Sequence, residues 1–395
     1  MHAGILGAAH ARHDGVTPAT HRSENQHWQS WIKFLQRTEL DGDPFLINID
    51  PPGHFDIIGA FAHTVRTKTY AKSTRGNDNL VSATCKAAVH AVCTAFHHAG
   101  RPNPSLDANG KVAGLLQRQF RGYSNTDPSE KSQKAIPTAV IEAMVSQQVT
   151  DPALIAFHEL VSLAFFFAMR SCEYLKVTAK SEERRTRPIC LRNLQFRRNN
   201  KEISHDDPNL ETADTITITF EYQKADRRNQ SVTQSRSENP ALCPVKAAAA
   251  AVRRIAKIKG TTLNTPLYTY ADSKRKTKEL TGNVGLSLLR AYIRTIDPAL
   301  GISWHEVGLH SIRSSAAMAM VLNNIPELVI QKLGRWSSNA FLRYIRKQVV
   351  ELSNDVSRRM VQNKIYYHVN NSDETANSVM GASGAAFDIG SFSVW

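Results

Sequence analysis

The sequence predicts a mainly α-helical protein with a small antiparallel β-sheet, divided into two domains. Apolar residues recur at helical spacing through most of the chain, as they do from Trp28 to Leu35. The stretch from Thr215 to Tyr222 alternates with period two instead, and Ser231 to Gln234 follows as its partner strand. A polar segment, residues 124–137, separates the two apolar halves. Together these features predict a helical N-terminal domain, a linker and a C-terminal domain that contains the sheet.

Composition points to a polyanionic partner. The 395 residues carry a formal net charge of +14, which favours nucleic acid first and an acidic membrane surface second. None of the five cysteines belongs to a Cys-x-x-Cys pair, which is typical of reduced thiols. No apolar run is long enough to cross a bilayer, and the N-terminus has no signal-peptide pattern. We therefore expect an intracellular protein, in the nucleus if its host is a eukaryote and otherwise in the cytoplasm or nucleoid.

Proline, glycine and polar residues divide the chain into five segments. The first residues are small and polar, and the last are rich in Ser, Gly and Ala, which favours disorder. In order, the segments are a flexible arm (1–23), a helical domain (24–123), a linker (124–137), a second domain (138–369) and a disordered tail (370–395).

Helix and strand signals alternate within the second domain. Pro152 to Met169 is apolar and predicts a buried helix, and Pro244 begins an Ala-rich helix that reaches Ile258. Thr281 is the predicted N-cap of a helix that extends to Ile296. Pro326 begins a short helix that Gly334 ends. Gln223 to Gln230 is the predicted basic tip of the hairpin between the two strands.

The stretch from Gly308 to Arg346 contains the residues best suited to chemistry. His310 and Arg313 begin an apolar-periodic helix and share one face of it, and Trp336 and Tyr344 follow. A cation, an imidazole, an indole N–H and a phenol suit a phosphodiester. Donors bind the non-bridging oxygens, and a deprotonated phenol is a nucleophile.

The order His-x-x-Arg, Gly-Arg-Trp and tyrosine resembles the closing motifs of the tyrosine recombinase (integrase) family. The text GRWSSNAFLRYIR resembles most the recombinases of eukaryotic mobile elements, the Crypton and DIRS-like group. The resemblance implies an N-terminal helical core-binding domain that clamps DNA against a catalytic domain. It further implies a homotetramer that recombines double-stranded DNA at specific sites through a 3′-phosphotyrosine intermediate, without metal, ATP or another small-molecule cofactor.

The resemblance also implies the roles of single residues. Arg170 follows an apolar helix and precedes Glu173 by three positions, as the family's first catalytic arginine often precedes an acidic residue. Both arginines would bind non-bridging oxygens, the histidine would donate to the same oxygen or deprotonate the nucleophile, and a hairpin lysine would protonate the leaving 5′-oxygen. The candidate catalytic set is Arg170, Lys224, His310, Arg313, Trp336 and Tyr344, with Glu173 in support.

Other basic residues are candidates for contacts with DNA phosphates. The segment from Arg66 to Arg75 interleaves cations with hydroxyls, a pattern that suits phosphate binding, and the linker carries two lysines. The predicted DNA-binding residues are Arg66, Lys68, Lys72, Arg75, Lys131, Lys134, Arg227 and Arg228.

Every assignment has a structural alternative at this point. Arg170 and Glu173 also fit a buried ion pair without a catalytic role, and Trp336 also fits core packing. The basic segments also fit solvated loops. Two alternative functions stay open: a catalytically idle DNA-binding protein derived from a mobile element, and a type IB topoisomerase-like strand relaxer that acts as a monomer.

Overall fold

The structure is a computed structural model, and it describes most of the chain in eight pieces. These are residue 11 and residues 15–40, 42–69, 79–128, 133–177, 186–222, 228–297 and 300–344. For Arg228, Ala340, Arg343 and Tyr344 it describes the backbone alone. The start of the predicted arm, the end of the predicted second domain and the tail lie outside these residues.

Four helices form the N-terminal unit: α1 (Pro18–Arg37), α2 (Pro51–Arg66), α3 (Ser82–His98) and α4 (Gly114–Thr126). Thr17 caps the first of them, since its side-chain oxygen accepts a hydrogen bond from the backbone N–H of Thr20 at 3.2 Å. The helix therefore begins at Pro18, inside the segment predicted as a flexible arm, and the predicted arm boundary at residue 23 is too late.

The core of this unit forms around Trp31. Its ring is fully buried and meets Phe61 edge-on, with the ring centroids 5.2 Å apart. The indole N–H donates to the carbonyl oxygen of Pro44 at 3.0 Å, so the polar edge of the buried ring is satisfied. The buried apolar residues from Trp31 to Phe120 form one cluster, separate from the cluster of the second half.

The second half contains seven helices and six strands among the described residues. The helices are α5 (Thr138–Val145), α6 (Pro152–Phe166), α7 (Ser171–Tyr174), α8 (Pro244–Ala256), α9 (Gly282–Ile293), α10 (His310–Leu322) and α11 (Glu327–Gly334). The strands are β1 (Leu194–Arg198), β2 (Lys201–Ile203), β3 (Thr215–Tyr222), β4 (Arg228–Ser235), β5 (Thr269–Ala271) and β6 (Thr277–Glu279). A 3-10 turn, Asn339–Tyr344, follows the last helix. The predicted fold class is confirmed.

The first four strands form one antiparallel sheet in the order β2-β1-β3-β4. Strand β3 occupies the predicted range, and its residues Ile216, Ile218 and Phe220 point into the core while its threonines face the other side. Pairing of β3 with β4 continues to Tyr222 opposite Arg228. The predicted hairpin is therefore confirmed, but residues 228–230 of the predicted tip belong to strand β4. The other tip residues, 223–227, lie outside the described part of the chain.

Helix α6 is the central element of the second core. It is buried on nearly every face and packs against α5, α8 and α10. It ends at Phe166, before the predicted end at Met169, because Ala168 turns the backbone through a positive φ of 43°. That turn leads directly into Arg170 and the short helix α7. In the described part of the chain, no helix has the length and apolar character that a membrane span requires.

Candidate active site

Arg170 lies where the chain turns from α6 into α7, as the N-cap residue of α7. Its backbone N–H donates to Glu173 Oε2 at 2.8 Å, and its guanidinium Nη1 donates to Glu173 Oε1 at 3.1 Å. The Glu173 side chain is 1% exposed and that of Arg170 is 25% exposed. The buried carboxylate therefore holds both the backbone and the guanidinium of Arg170, while part of this side chain stays exposed to solvent.

Arg313 lies one turn into α10 and is almost fully buried. Its Nη1 donates to the carbonyl oxygen of Ala168, in the turn before Arg170, and its Nη2 donates to the carbonyl oxygen of Gly334 at 2.6 Å. These two bonds tie two other segments of the chain to the guanidinium on α10. They bring Arg313 beside the turn that carries Arg170.

His310 begins α10, with its side chain exposed, one helical turn before Arg313. Its pKa is lowered from 6.5, first by desolvation and then by the charges of Arg313 and Arg170. Both guanidiniums are therefore close enough to disfavour a third positive charge. At neutral pH this environment favours the neutral imidazole.

The Trp336 side chain packs beside Arg313. The guanidinium carbon of Arg313 lies 4.6 Å from the centroid of its ring, a cation–π contact. The ring is mostly buried and packs against Phe341, with centroids 5.7 Å apart. A Cβ atom on Gly334 would lie only 1.8 Å from the Trp336 ring, so no side chain fits at that position.

Helix α11 ends at Gly334, as predicted, although the reason differs from the expected one. The left-handed residue that closes the helix is Arg335, at φ 56°, and not the glycine. Glycine is required at position 334 for the space that the indole of Trp336 occupies.

Arg335 is the residue of the site that the sequence analysis did not select. Its Nη2 donates to Glu173 Oε2 at 2.7 Å, and both side chains are 1% exposed. Burial lowers its pKa to about 10, partly offset by Glu173, so the side chain is still charged at neutral pH. A cation between Gly334 and Trp336, within the recognised motif, was the signal available in the sequence.

The 3-10 turn that carries Tyr344 packs against α10. Phe341 anchors this turn because it is fully buried against the Trp336 ring. The side chain of Tyr344 lies outside what the structure describes, and so do Lys224 and the side chain of Arg228. Convergence of the phenol and of the hairpin lysine on the site therefore stays a prediction.

The fold of this chain is similar to that of solved protein structures. No family model and no curated protein matches the sequence. Among solved structures, the Tn1549 transposon integrase in complex with transposon right end DNA matches with a TM-score of 0.50 at 12% identity, over 90% of this chain and 98% of that one. The chain has the tyrosine recombinase fold.

Two further structures with this recombinase fold match less closely. The XerH site-specific recombinase bound to palindromic difH substrate has a TM-score of 0.48 at 15% identity, over 84% of this chain and 79% of that one. A lambda integrase dimer bound to a COC′ core site has a TM-score of 0.43 at 14% identity, over 94% of this chain and 99% of that one.

One residue predicted to contact DNA is buried inside the recombinase fold. Arg66 is 4% exposed, and its guanidinium is ion-paired with Asp127 and donates to the carbonyl oxygen of Leu80 at 2.7 Å. Hydrogen bonding from Arg66 lowers the pKa of the Asp127 carboxyl, as expected for an ion pair. The guanidinium fastens α2 to the end of α4, so the prediction that Arg66 binds phosphate is wrong.

Lys134 has an intramolecular role as well. Its ammonium pairs with Glu306 at 2.9 Å and donates to the carbonyl oxygen of Gly301 at 3.0 Å, which fastens the linker to the second half of the chain. Nearby, the backbone N–H of Ile136 donates to the buried hydroxyl of Ser315 on α10 at 2.7 Å. Lys68 is half-buried at the end of α2. The remaining predicted contacts, Lys72, Arg75, Lys131 and Arg227, lie outside the described residues.

Proposed function

We propose that this protein is a site-specific DNA recombinase that cuts and rejoins double-stranded DNA through a 3′-phosphotyrosine intermediate. One observation carries the proposal. Arg170, at the start of α7, lies close enough to His310 and Arg313, on α10, for both guanidinium charges to act on the imidazole, next to the Trp336 ring and the turn that carries Tyr344. Two guanidiniums and an imidazole in one place match the donors that a scissile phosphate requires.

The chemistry follows from the charges of these groups. The Tyr344 phenolate attacks phosphorus, a P–O bond to the tyrosine forms, and the bond to the 5′-oxygen breaks. Arg170 and Arg313 offset the charge that develops on the non-bridging oxygens. Neutral His310 accepts the phenol proton or donates to the same oxygens. Lys224, from the hairpin tip, supplies the proton to the leaving 5′-oxygen.

The proposed reaction needs no external source of energy. The energy of the broken phosphodiester bond is kept in the phosphotyrosine link, so a 5′-hydroxyl from another strand reverses the step without ATP. The residues invoked here supply the acid, the base and the charge stabilisation, so the proposed mechanism calls for no metal.

Exchange between two duplexes requires four active sites, which we assign to a homotetramer on DNA. The resemblance of GRWSSNAFLRYIR to recombinases of eukaryotic mobile elements supports the further proposal that this recombinase derives from such an element.

A nicked suicide substrate tests this proposal. Duplexes that contain the repeats flanking the gene are nicked at successive positions, so that cleavage beside a nick releases a short fragment and traps the covalent adduct. Wild-type protein is expected to form the adduct. Tyr344→Phe is expected to form none while its dissociation constant for the intact duplex stays within about threefold, because the hydroxyl contributes to attack and not to affinity. An adduct with Tyr344→Phe would reassign the nucleophile.

The burial of Arg313 favours one alternative, a DNA-binding protein without catalysis. Its side chain is almost fully buried, and it already donates to two backbone carbonyls, which also suits a purely structural role. The same assay separates the two functions: the alternative predicts binding to the flanking repeats and no adduct at any nick position. Relaxation of supercoiled plasmid by a monomer would instead indicate a topoisomerase-like enzyme.

A further inference from the structure

We propose that Arg335 is a positioning residue for DNA cleavage: it holds the Glu173 carboxylate, which holds the Arg170 guanidinium toward the scissile phosphate. This inference deepens the proposed function and rests on it. It assigns to the middle residue of the Gly-Arg-Trp turn a role that neither the motif nor the sequence analysis gave it.

The carboxylate of Glu173 joins the two arginines. Its Oε2 accepts from Arg335 Nη2 at 2.7 Å and from the backbone N–H of Arg170 at 2.8 Å, and its Oε1 accepts from Arg170 Nη1 at 3.1 Å. A buried carboxylate needs a compensating positive charge beside it. If Arg170 were its only cationic partner, the Arg170 guanidinium would have to be buried as well. Because the fully buried Arg335 supplies the compensating charge, Arg170 can keep a quarter of its side chain exposed.

Several contacts fix the orientation of Arg335. It donates to the carbonyl oxygen of Phe167 at 2.9 Å, in the turn that leads to Arg170. Its guanidinium lies 3.4 Å from the centroid of the Phe220 ring on β3, the strand that leads into the hairpin tip. Only a planar, forked cation makes the stacking contact and these hydrogen bonds together, so lysine is a poor replacement.

The backbone of Arg335 supports the same conclusion. The residue adopts a left-handed conformation at φ 56°, which closes α11 and which glycine or asparagine adopts more readily. This conformation directs the arginine to Glu173 and the next side chain, Trp336, to Arg313. Consecutive residues of one turn thus support the two arginines that the proposed mechanism uses.

The test measures single-turnover cleavage of the nicked duplex by Arg335→Gln, Glu173→Gln and the double variant. The control is Arg254→Gln, because Arg254 also pairs with a carboxylate that is 11% exposed, Glu159 at 2.7 Å, and donates to the carbonyl oxygen of Leu267 at 2.8 Å, away from the site. Each variant is compared at equal folded fraction. Each is assayed on a normal scissile phosphate and on a methylphosphonate, which lacks one charged non-bridging oxygen.

We expect Arg335→Gln to slow cleavage of the phosphodiester on the order of 100-fold, with DNA affinity within about threefold of wild type, because Arg170 loses its alignment. The loss on the methylphosphonate should be at least about tenfold smaller, since less charge has to be offset there. The double variant should lose no more than Glu173→Gln alone. Arg254→Gln should lower the unfolding midpoint and leave the cleavage rate within about threefold.

Three results would overturn the inference: wild-type cleavage by folded Arg335→Gln, equal losses on both substrates, or additive losses in the double variant. If Arg335→Gln does not fold, Arg335→Lys supplies the same comparison of substrates. Failure of the proposed function has a different signature, because wild-type protein itself would then form no adduct on either substrate.

Discussion

At the scale of single residues, environment decides what a charged side chain does. Arg66 and Arg170 are both arginines in predicted functional segments, yet Arg66 is 4% exposed and bonded to carbonyls, whereas Arg170 keeps a quarter of its side chain exposed. The difference comes from partners far away in sequence, such as Asp127 for Arg66. A buried charge needs full compensation, so its partners determine whether it can also serve a ligand.

His310 provides a prediction at this scale. Desolvation, with the charges of Arg313 and Arg170, favours its neutral form and lowers its pKa, so the base is available at lower pH than for an ordinary histidine. In the general-base role, kcat/KM for cleavage should fall as the imidazole is protonated, with a midpoint below the ordinary histidine value of 6.5.

His310→Gln checks this expectation. The variant should cleave about 10²- to 10⁴-fold more slowly, and its rate should not show the acid limb. The measurement is a pH–rate profile from pH 5 to pH 8 for both proteins. An acid limb that persists unchanged in His310→Gln would belong to another group.

At the scale of elements, one turn organises the candidate site. Helix α11 ends so that three consecutive residues have different tasks. Gly334 provides space, Arg335 reaches Glu173, and Trp336 lies against Arg313. The following 3-10 turn is anchored to the same indole through Phe341. Placement of the turn that bears Tyr344 therefore depends on the packing of Trp336.

Gly334→Ala tests that dependence. The new Cβ would meet the Trp336 ring at 1.8 Å, and the large buried ring has to move. We expect a loss of about 1–3 kcal/mol in the free energy of unfolding, and slower cleavage because the support of Arg313 is disturbed. Urea denaturation and single-turnover cleavage measure the two effects.

Gly122→Ala is the matched control for this variant. Gly122 lies inside α4, and a Cβ atom there meets nothing within 4 Å. The substitution should stabilise the protein by about 0.5–1 kcal/mol, because alanine is the better helix former. Equal effects of the two substitutions would contradict a steric requirement at Gly334.

At the scale of the whole molecule, the main features are the positive net charge and the linker that connects the two halves. The net charge of +14 is distributed over a chain whose two cores are joined by a linker fastened to the second half at Lys134 and Ile136. In the proposed function, basic residues of both halves neutralise phosphates of the bound duplex. This arrangement predicts an affinity that depends strongly on salt.

A salt titration measures this property. If about 6–10 phosphates are neutralised, affinity should fall by about 10³–10⁵ between 50 and 200 mM salt. Arg66→Gln should leave the slope of log K against log salt unchanged, because Arg66 is buried in an ion pair. A flat response of the wild-type protein would count against extensive backbone contacts, and a shallower slope for Arg66→Gln would restore that residue as a contact.

The sequence by itself determined the elements whose signals are local. Apolar spacing and caps located most helices, including the start of α10 at His310, and strict alternation located β3. The short strands β2, β5 and β6 were not predicted, because few of their residues are buried and three residues are too few to show a period. The order of the motifs also selected most of the candidate site.

Only the tertiary structure decided which of these residues meet and which are buried. Arg335 belongs to the candidate site because it pairs with Glu173, which is distant in the chain. Arg66 is not available to DNA because it pairs with Asp127, which is also distant in the chain. Spacing along the chain reports which face of an element a residue occupies. It does not report what the fold places opposite that face, and the energy of a buried charge depends on that opposing group.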